Sequence, residues 1–146
     1  MASANLASNM RKTTEAFLYS WNGDWIHSGE KNLATRAPEC RHIMMPATVA
    51  SAPRSNEEWA TYFKNVAPSI TQGNMTIHDY LAVPEERRAV CRSSMSATSP
   101  AGPFNNEYVW FLTFNESGNK ITLIEEFLDS KATSDLRERL RELREQ

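Results

Sequence analysis

An excess of charge of either sign is what this chain most clearly lacks. A formal net charge of −2 over 146 residues offers no basic surface for nucleic acid or for an anionic membrane. Cysteine is scarce. Cys40 and Cys91 have no metal-ligand spacing and read as reduced, buried thiols. The three histidines, His27, His42 and His78, are too scattered for a metal triad. No apolar run approaches the ~20 residues of a membrane span. The opening MASANLASNMRK has no apolar stretch of a secretory leader. A soluble protein of a reducing, cytoplasmic compartment is therefore expected. A phosphate-cradling glycine loop, HExxH, paired CxxC and GxSxG are all missing, which excludes the chemistries built on them. There is no internal repeat. The length suits one domain over 1–146 with a real core, residues 1–7 being frayed.

What is present centres on GPFNNEYVWFLTFNESGNKITLIEEFLDS, residues 102–130. From Phe104 to Phe114 both alternating sets are largely apolar, so both faces of this strand need cover. Glu116-Ser117-Gly118 supplies a three-residue hairpin loop. Closing that loop at Asn115 and Asn119 sets Tyr108 opposite Glu126, Trp110 opposite Ile124 and Leu112 opposite Thr122. Opposed residues share a face, so a phenol and a carboxylate are expected side by side in an apolar setting. The expectation holds only in that register.

Before this hairpin the pattern is mostly helical. Ser8 or Asn9 caps a helix to about Asn22, with Phe17, Leu18 and Trp21 on one stripe. Asp24 caps a second helix, weakened by Gly29 and ended by Pro38. Residues 40–45 form a short strand. Ser55 and Glu58 form a capping box for a helix carrying Trp59, Tyr62, Phe63 and Val66. Residues 75–83 and 89–99 read as strands, with Met75, Ile77, Leu81 and Val83 on one face of the first. Ser134 or Asp135 starts a tail helix with Leu136, Leu140 and Leu143, a lid or a dimer contact. The fold class is α+β: a cone-shaped, curved antiparallel sheet wrapped around three N-terminal helices, with a short C-terminal helix.

Three motifs in this order carry a family resemblance: Arg36-Ala37-Pro38-Glu39-Cys40-Arg41-His42 with Pro46, Gly102-Pro103-Phe104-Asn105-Asn106-Glu107-Tyr108 with Phe111-Leu112, and Glu125-Glu126-Phe127-Leu128-Asp129-Ser130. Over roughly residues 10–143 the chain resembles SnoaL-like members of the nuclear-transport-factor-two-like, or scytalone-dehydratase-like, superfamily. It looks most like small fungal enzymes that rearrange secondary metabolites, such as meroterpenoid isomerases of the austinol type and the brevianamide semi-pinacolase. The resemblance implies a cofactor-free cone fold, often homodimeric. It also implies catalytic roles for Arg36, Tyr108 and Glu126, matching an arginine, a tyrosine and a glutamate of the semi-pinacolase. Phe104 stands where that enzyme has its other tyrosine.

The residues support several of these roles independently. Glu126 sits among large apolar side chains, where burial resists ionisation and suits acid–base work; if Glu125 points inward instead, Glu126 faces solvent. Tyr108 is either an amphipathic core residue or a donor to a substrate oxygen. Arg36, at a helix end, is either a cation favoured there by the helix dipole or a fixed positive charge facing the cavity mouth. His42 shares a strand face with Cys40 and Met44 and is either a satisfied core residue or a second-tier acid–base candidate; His27 and His78 are weaker. Asp129 reads as structural, and Glu107 as facing outward. Trp21, Trp25, Met44, Tyr62, Phe63, Met75, Phe104, Asn106 and Trp110 are the expected substrate-binding residues, around an apolar pocket for a rigid polycyclic ligand. The function expected is isomerase or cyclase, with a hydrolase or dehydratase and a non-catalytic binder as alternatives. The apolar face of Val109, Phe111, Leu123 and Phe127 predicts a homodimer through the sheet.

Overall fold

The protein is described here from a computed structural model covering residues 2–146; the fraying expected at residue 1 lies outside the described residues. Helix α1 spans Ala2–Tyr19, so it starts well before the expected cap at Ser8 or Asn9, and residues 2–7 are helical. The reason is tertiary. Leu6 packs on the core, and Asn9 Nδ2 and Thr13 Oγ1 donate to Ser117 O and Gly118 O at 2.9 and 2.8 Å. The hairpin loop thus holds the N-terminal turns, and Gly118 accepts the close approach with φ +77°.

Asp24 does cap the next segment, accepting from Ile26 N at 3.0 Å. That segment is a single 3₁₀ turn, Trp25–His27, followed by the short helix α2, Ser28–Leu33. Strand β1 then covers Arg36–Met45. Arg36 therefore opens a strand and does not close a helix. Pro38 lies inside β1, where the pairing with its neighbour is irregular between Arg36 and Arg41. An edge strand tolerates the missing N–H at such an irregularity. Helix α3, Asn56–Val66, has the expected capping box.

The sheet continues with β2 (Gln72–Val83), β3 (Arg88–Ser99), β4 (Gly102–Phe114) and β5 (Ile121–Leu128). Its order is β1-β5-β4-β3-β2. The meander β2 to β5 is antiparallel, but β1 joins β5 in parallel. The sheet is mixed, a correction to the wholly antiparallel expectation that leaves the α+β class intact. A bulge between Ile77 and Asp79 reverses the facing of the second half of β2. Leu81 and Val83 are consequently exposed, at 67% and 43%, rather than sharing the inner face of Met75.

The central hairpin is longer in its loop than expected. Asn115 N donates to Lys120 O at 2.9 Å, and the register shifts by two residues. Tyr108 faces Leu128, Trp110 faces Glu126, and Leu112 faces Ile124. A two-residue shift preserves which face each side chain occupies. Glu126 still points inward with Tyr108, and Glu125 takes the other face. Finally, Asp129, not Ser134 or Asp135, caps the tail helix α4, Ser130–Arg144. At 15 residues it is not short. The concave face closes over Phe17, Leu18, Trp110, Leu112 and Ile124, all essentially unexposed. No described helix is long and apolar enough to cross a membrane.

Candidate active site

Strand β1 beside β5 is what builds the polar end of the hollow. Their parallel register sets His42 against Ile124 and Met44 against Glu126. His42 Nε2 and Glu126 Oε1 stand 2.7 Å apart, both side chains buried. Arg36 Nη2 lies 3.2 Å from His42 Nδ1. A guanidinium can only donate, so Nδ1 accepts, and Nε2–H is the donor to Glu126. The imidazole is neutral in this arrangement. Its pKa is lowered, chiefly by burial, with the Glu126 hydrogen bond pulling the other way.

The line continues behind Arg36. Arg36 Nε donates to Asn32 Oδ1 at 2.8 Å, Asn32 Nδ2 to Ser20 Oγ at 2.9 Å, and Ser20 Oγ to Phe17 O at 2.6 Å. Helices α1 and α2 thereby fix the plane of the guanidinium, which also lies over the Trp59 ring at 4.0 Å. Burial lowers the Arg36 pKa to about 10, still protonated at neutral pH. Burial raises both thiols to about 11; Cys40 and Cys91 are free.

The hollow in front of this line is lined chiefly by aromatic and aliphatic side chains. It measures about 120 Å³, taken as space open to the centre of a water molecule. All nine residues expected to bind substrate line it: Trp21, Trp25, Met44, Tyr62, Phe63, Met75, Phe104, Asn106 and Trp110. Trp21, Trp110 and Tyr108 form one stacked wall, with ring centroids 5.2 and 5.3 Å apart. Trp59 and Phe63 form another at 4.7 Å. Trp110 is held in plane by donating to Ser93 Oγ at 2.8 Å. A wider depression of about 590 Å³ near Lys12, Tyr19 and Lys31 contains none of the acid–base groups.

Of the four residues singled out for catalysis, His42, Tyr108 and Glu126 line the hollow and Arg36 does not. Arg36 lies behind His42, not at the mouth, because it opens a strand rather than ending a helix. Glu126 takes His42 as its hydrogen-bond partner in place of Tyr108, because the hairpin register moved by two. The Tyr108 hydroxyl is kept protonated: burial raises its pKa strongly, and Glu126 nearby adds to this. Among the weaker candidates, His78 binds Ser94 Oγ at 2.6 Å on the outer surface, and His27 is exposed. Glu107 is exposed, and Asp129 is occupied as a helix cap.

Of the two expectations for the tail helix, a lid or a dimer contact, its place over the hollow matches the lid. Thr133, Leu136, Arg137 and Leu140 of α4 line the hollow, and Asn106 Nδ2 ties the helix down by donating to Thr133 Oγ1 at 3.0 Å. The leucine spacing marked this face as buried. Among the described residues no cluster of three His, Cys, Asp or Glu side chains could hold a metal ion.

A cone of α+β build, enclosing an apolar hollow with a buried acid–base pair, defines a small-molecule enzyme scaffold of the SnoaL-like type. No protein-family model matches the chain. The chain is 30% identical over 123 residues, 84% of its length, to Monooxygenase AacuP of Aspergillus aculeatus, of which it covers 83%. It is 31% identical over 111 residues, 74% of its length, to the austinoid biosynthesis cluster protein J of Aspergillus calidoustus, of which it covers 67%. In structure it matches the BvnE pinacolase of Penicillium brevicompactum with a TM-score of 0.85 and 25% identity, over 94% of both chains. The chain belongs to this family of SnoaL-like fungal secondary-metabolite enzymes.

Proposed function

We propose that the chain is a cofactor-independent isomerase or cyclase that rearranges an apolar, polycyclic secondary-metabolite intermediate of meroterpenoid or related origin. The observation that carries this reading is the Glu126–His42–Arg36 line at the wall of an aromatic hollow. Glu126 accepts a proton from the substrate and returns it at another atom, so the reaction needs no co-reactant. His42 holds Glu126 through Nε2–H and shares the proton. Arg36 touches no substrate; it is a positioning residue that keeps His42 in one tautomer. The Tyr108 hydroxyl, kept protonated, donates to a substrate oxygen as charge develops there. The stacked walls hold the intermediate in one reactive conformer away from water.

The name of the Aspergillus aculeatus relative favours a second reading, oxygen insertion. Incubating the purified protein with an extract of a producing strain that lacks it, with and without oxygen, separates the readings by product mass. Isomerisation leaves the mass unchanged and proceeds anaerobically. Gain or loss of water indicates hydrolysis or dehydration, and gain of one oxygen atom only in air indicates a monooxygenase. Ligand retention with no conversion indicates a binding module. Unchanged turnover in both Glu126→Gln and Tyr108→Phe would sink the mechanism.

The outer sheet face supports pairing of two copies. Phe127 is 47% exposed there, beside half-buried Val109, Phe111 and Leu123. The proposed state is a homodimer through this face, in a reducing cytoplasm that suits two free thiols.

A further inference from the structure

We infer that the hollow takes a ligand carrying an anionic group, a carboxylate or a comparably acidic oxygen, and that Arg137 receives that group at the rim. The inference rests on the small-molecule reading above and narrows its substrate class. The other basic residues along the same stretch of α4 are engaged. Lys131 pairs with Asp135 at 2.8 Å, and Arg141 with Glu145 at 3.3 Å. Arg139 donates to Ala101 O and Pro103 O at 3.3 and 3.2 Å. Arg137 alone among them lines the hollow, and it forms no ion pair or hydrogen bond among the described residues.

The charges on the lining are arranged end to end. Glu126 and His42 lie at the buried end, and Arg137 at the rim on α4. The rings of Trp59 and Trp110 lie beside the buried pair, 6.3 and 6.4 Å from the His42 ring. A negative group beside Glu126 would meet its carboxylate in a medium of low dielectric, where like charges repel far more than in water. Arg36 cannot relieve this, because its guanidinium is turned to His42 and Asn32 behind the wall. An anionic ligand therefore has one favourable orientation, with its framework inside and its charge on Arg137. That orientation also presents the far end of the framework to Glu126.

Two fluorescent probes test this, anilinonaphthalene sulfonate and the uncharged N-phenyl-naphthylamine, which differ by one sulfonate. Both are expected to bind wild-type protein and to displace one another. Arg137→Gln is expected to weaken the sulfonate about tenfold, the size of one charge-assisted contact, with the neutral probe unmoved. Arg137→Lys should retain most of the affinity. Arg144→Gln, the same charge change beyond the hollow, should alter neither probe. Equal sulfonate affinity in wild type and Arg137→Gln would overturn the inference and leave the proposed function standing. Failure of both probes to bind wild-type protein would overturn the cavity reading and the inference with it.

Discussion

Replacing Arg36 by methionine should cost most of the stability that the buried polar line contributes, and neutralising Glu126 should return part of it. Arg36 is 5% exposed and donates at 2.8 Å to Asn32 and at 3.2 Å to His42. Methionine keeps contact with the Trp59 ring but removes both donors. Asn32 Oδ1 and His42 Nδ1 are left unpaired, at about 1–3 kcal/mol each. The Glu126 carboxylate, which Arg36 does not touch, also loses the field of a buried positive charge beyond His42, a smaller effect than breaking a direct pair. These effects overlap, so a single-variant loss of about 4 kcal/mol is expected. At ~2–4 °C per kcal/mol for a chain of this size, the midpoint should fall by roughly 10–15 °C. Glu126→Gln in the Arg36→Met background still accepts from His42 Nε2–H and removes the stranded charge, so it should restore about 1–2 kcal/mol. In wild-type protein the same change should destabilise. Urea unfolding at neutral pH, followed by tryptophan fluorescence and circular dichroism, measures all four corners of the cycle. Arg36 and Glu126 are coupled through His42 and through the field between their charges. Effects additive within about 0.5 kcal/mol would refute the coupling.

Three further outcomes are expected. Because burial lowers the His42 pKa below its ordinary 6.5, the unfolded chain takes up a proton first as pH falls. Stability should therefore be full above about 6.5 and decline below it by up to ~1.4 kcal/mol per pH unit; thermal melts from pH 8 to 5 test this, and a profile equally steep in His42→Gln would rule out His42 as the source. At Gly118, with φ +77°, an added Cβ would lie 2.9 Å from Leu6 Cδ1 and from Met10 Cγ. Gly118→Ala should cost about 2 kcal/mol in thermal denaturation, whereas Gly23, where a Cβ would meet nothing within 4 Å, should suffer only the backbone strain. Phe127→Glu should convert the proposed dimer to monomer in light scattering coupled to gel filtration; an unchanged mass would place the interface elsewhere or remove it.

Local chemistry announced itself in the sequence, and long-range pairing did not. The Ser55–Glu58 capping box, the apolar stripe of α1 and the strands of the meander all follow from neighbouring residues. Face parity along β4 and β5 was equally legible, because alternation fixes it even when register slips by two. That is why Tyr108, Glu126 and the aromatic lining were identified while the partner of Glu126 was not. The His42–Glu126 contact needs β1 to lie parallel to β5, 84 residues away, and nothing local encodes that choice. Arg36 was misplaced for a related reason: Pro38 reads as a helix stop, yet an irregular edge strand accommodates it. The bulge after Ile77 left no mark in composition either.

The parallel seam between β1 and β5 has a consequence for how the protein matures. A growing chain that has completed its first four strands carries His42 on a strand whose sheet neighbour, β5, is still missing, and an aromatic hollow without its acid. Only when the fifth strand docks does Glu126 arrive, and α4 follows to roof the hollow. Fragments ending before residue 126 should therefore lack the acid–base pair altogether, and their greasy interior stays open to solvent and to chaperones.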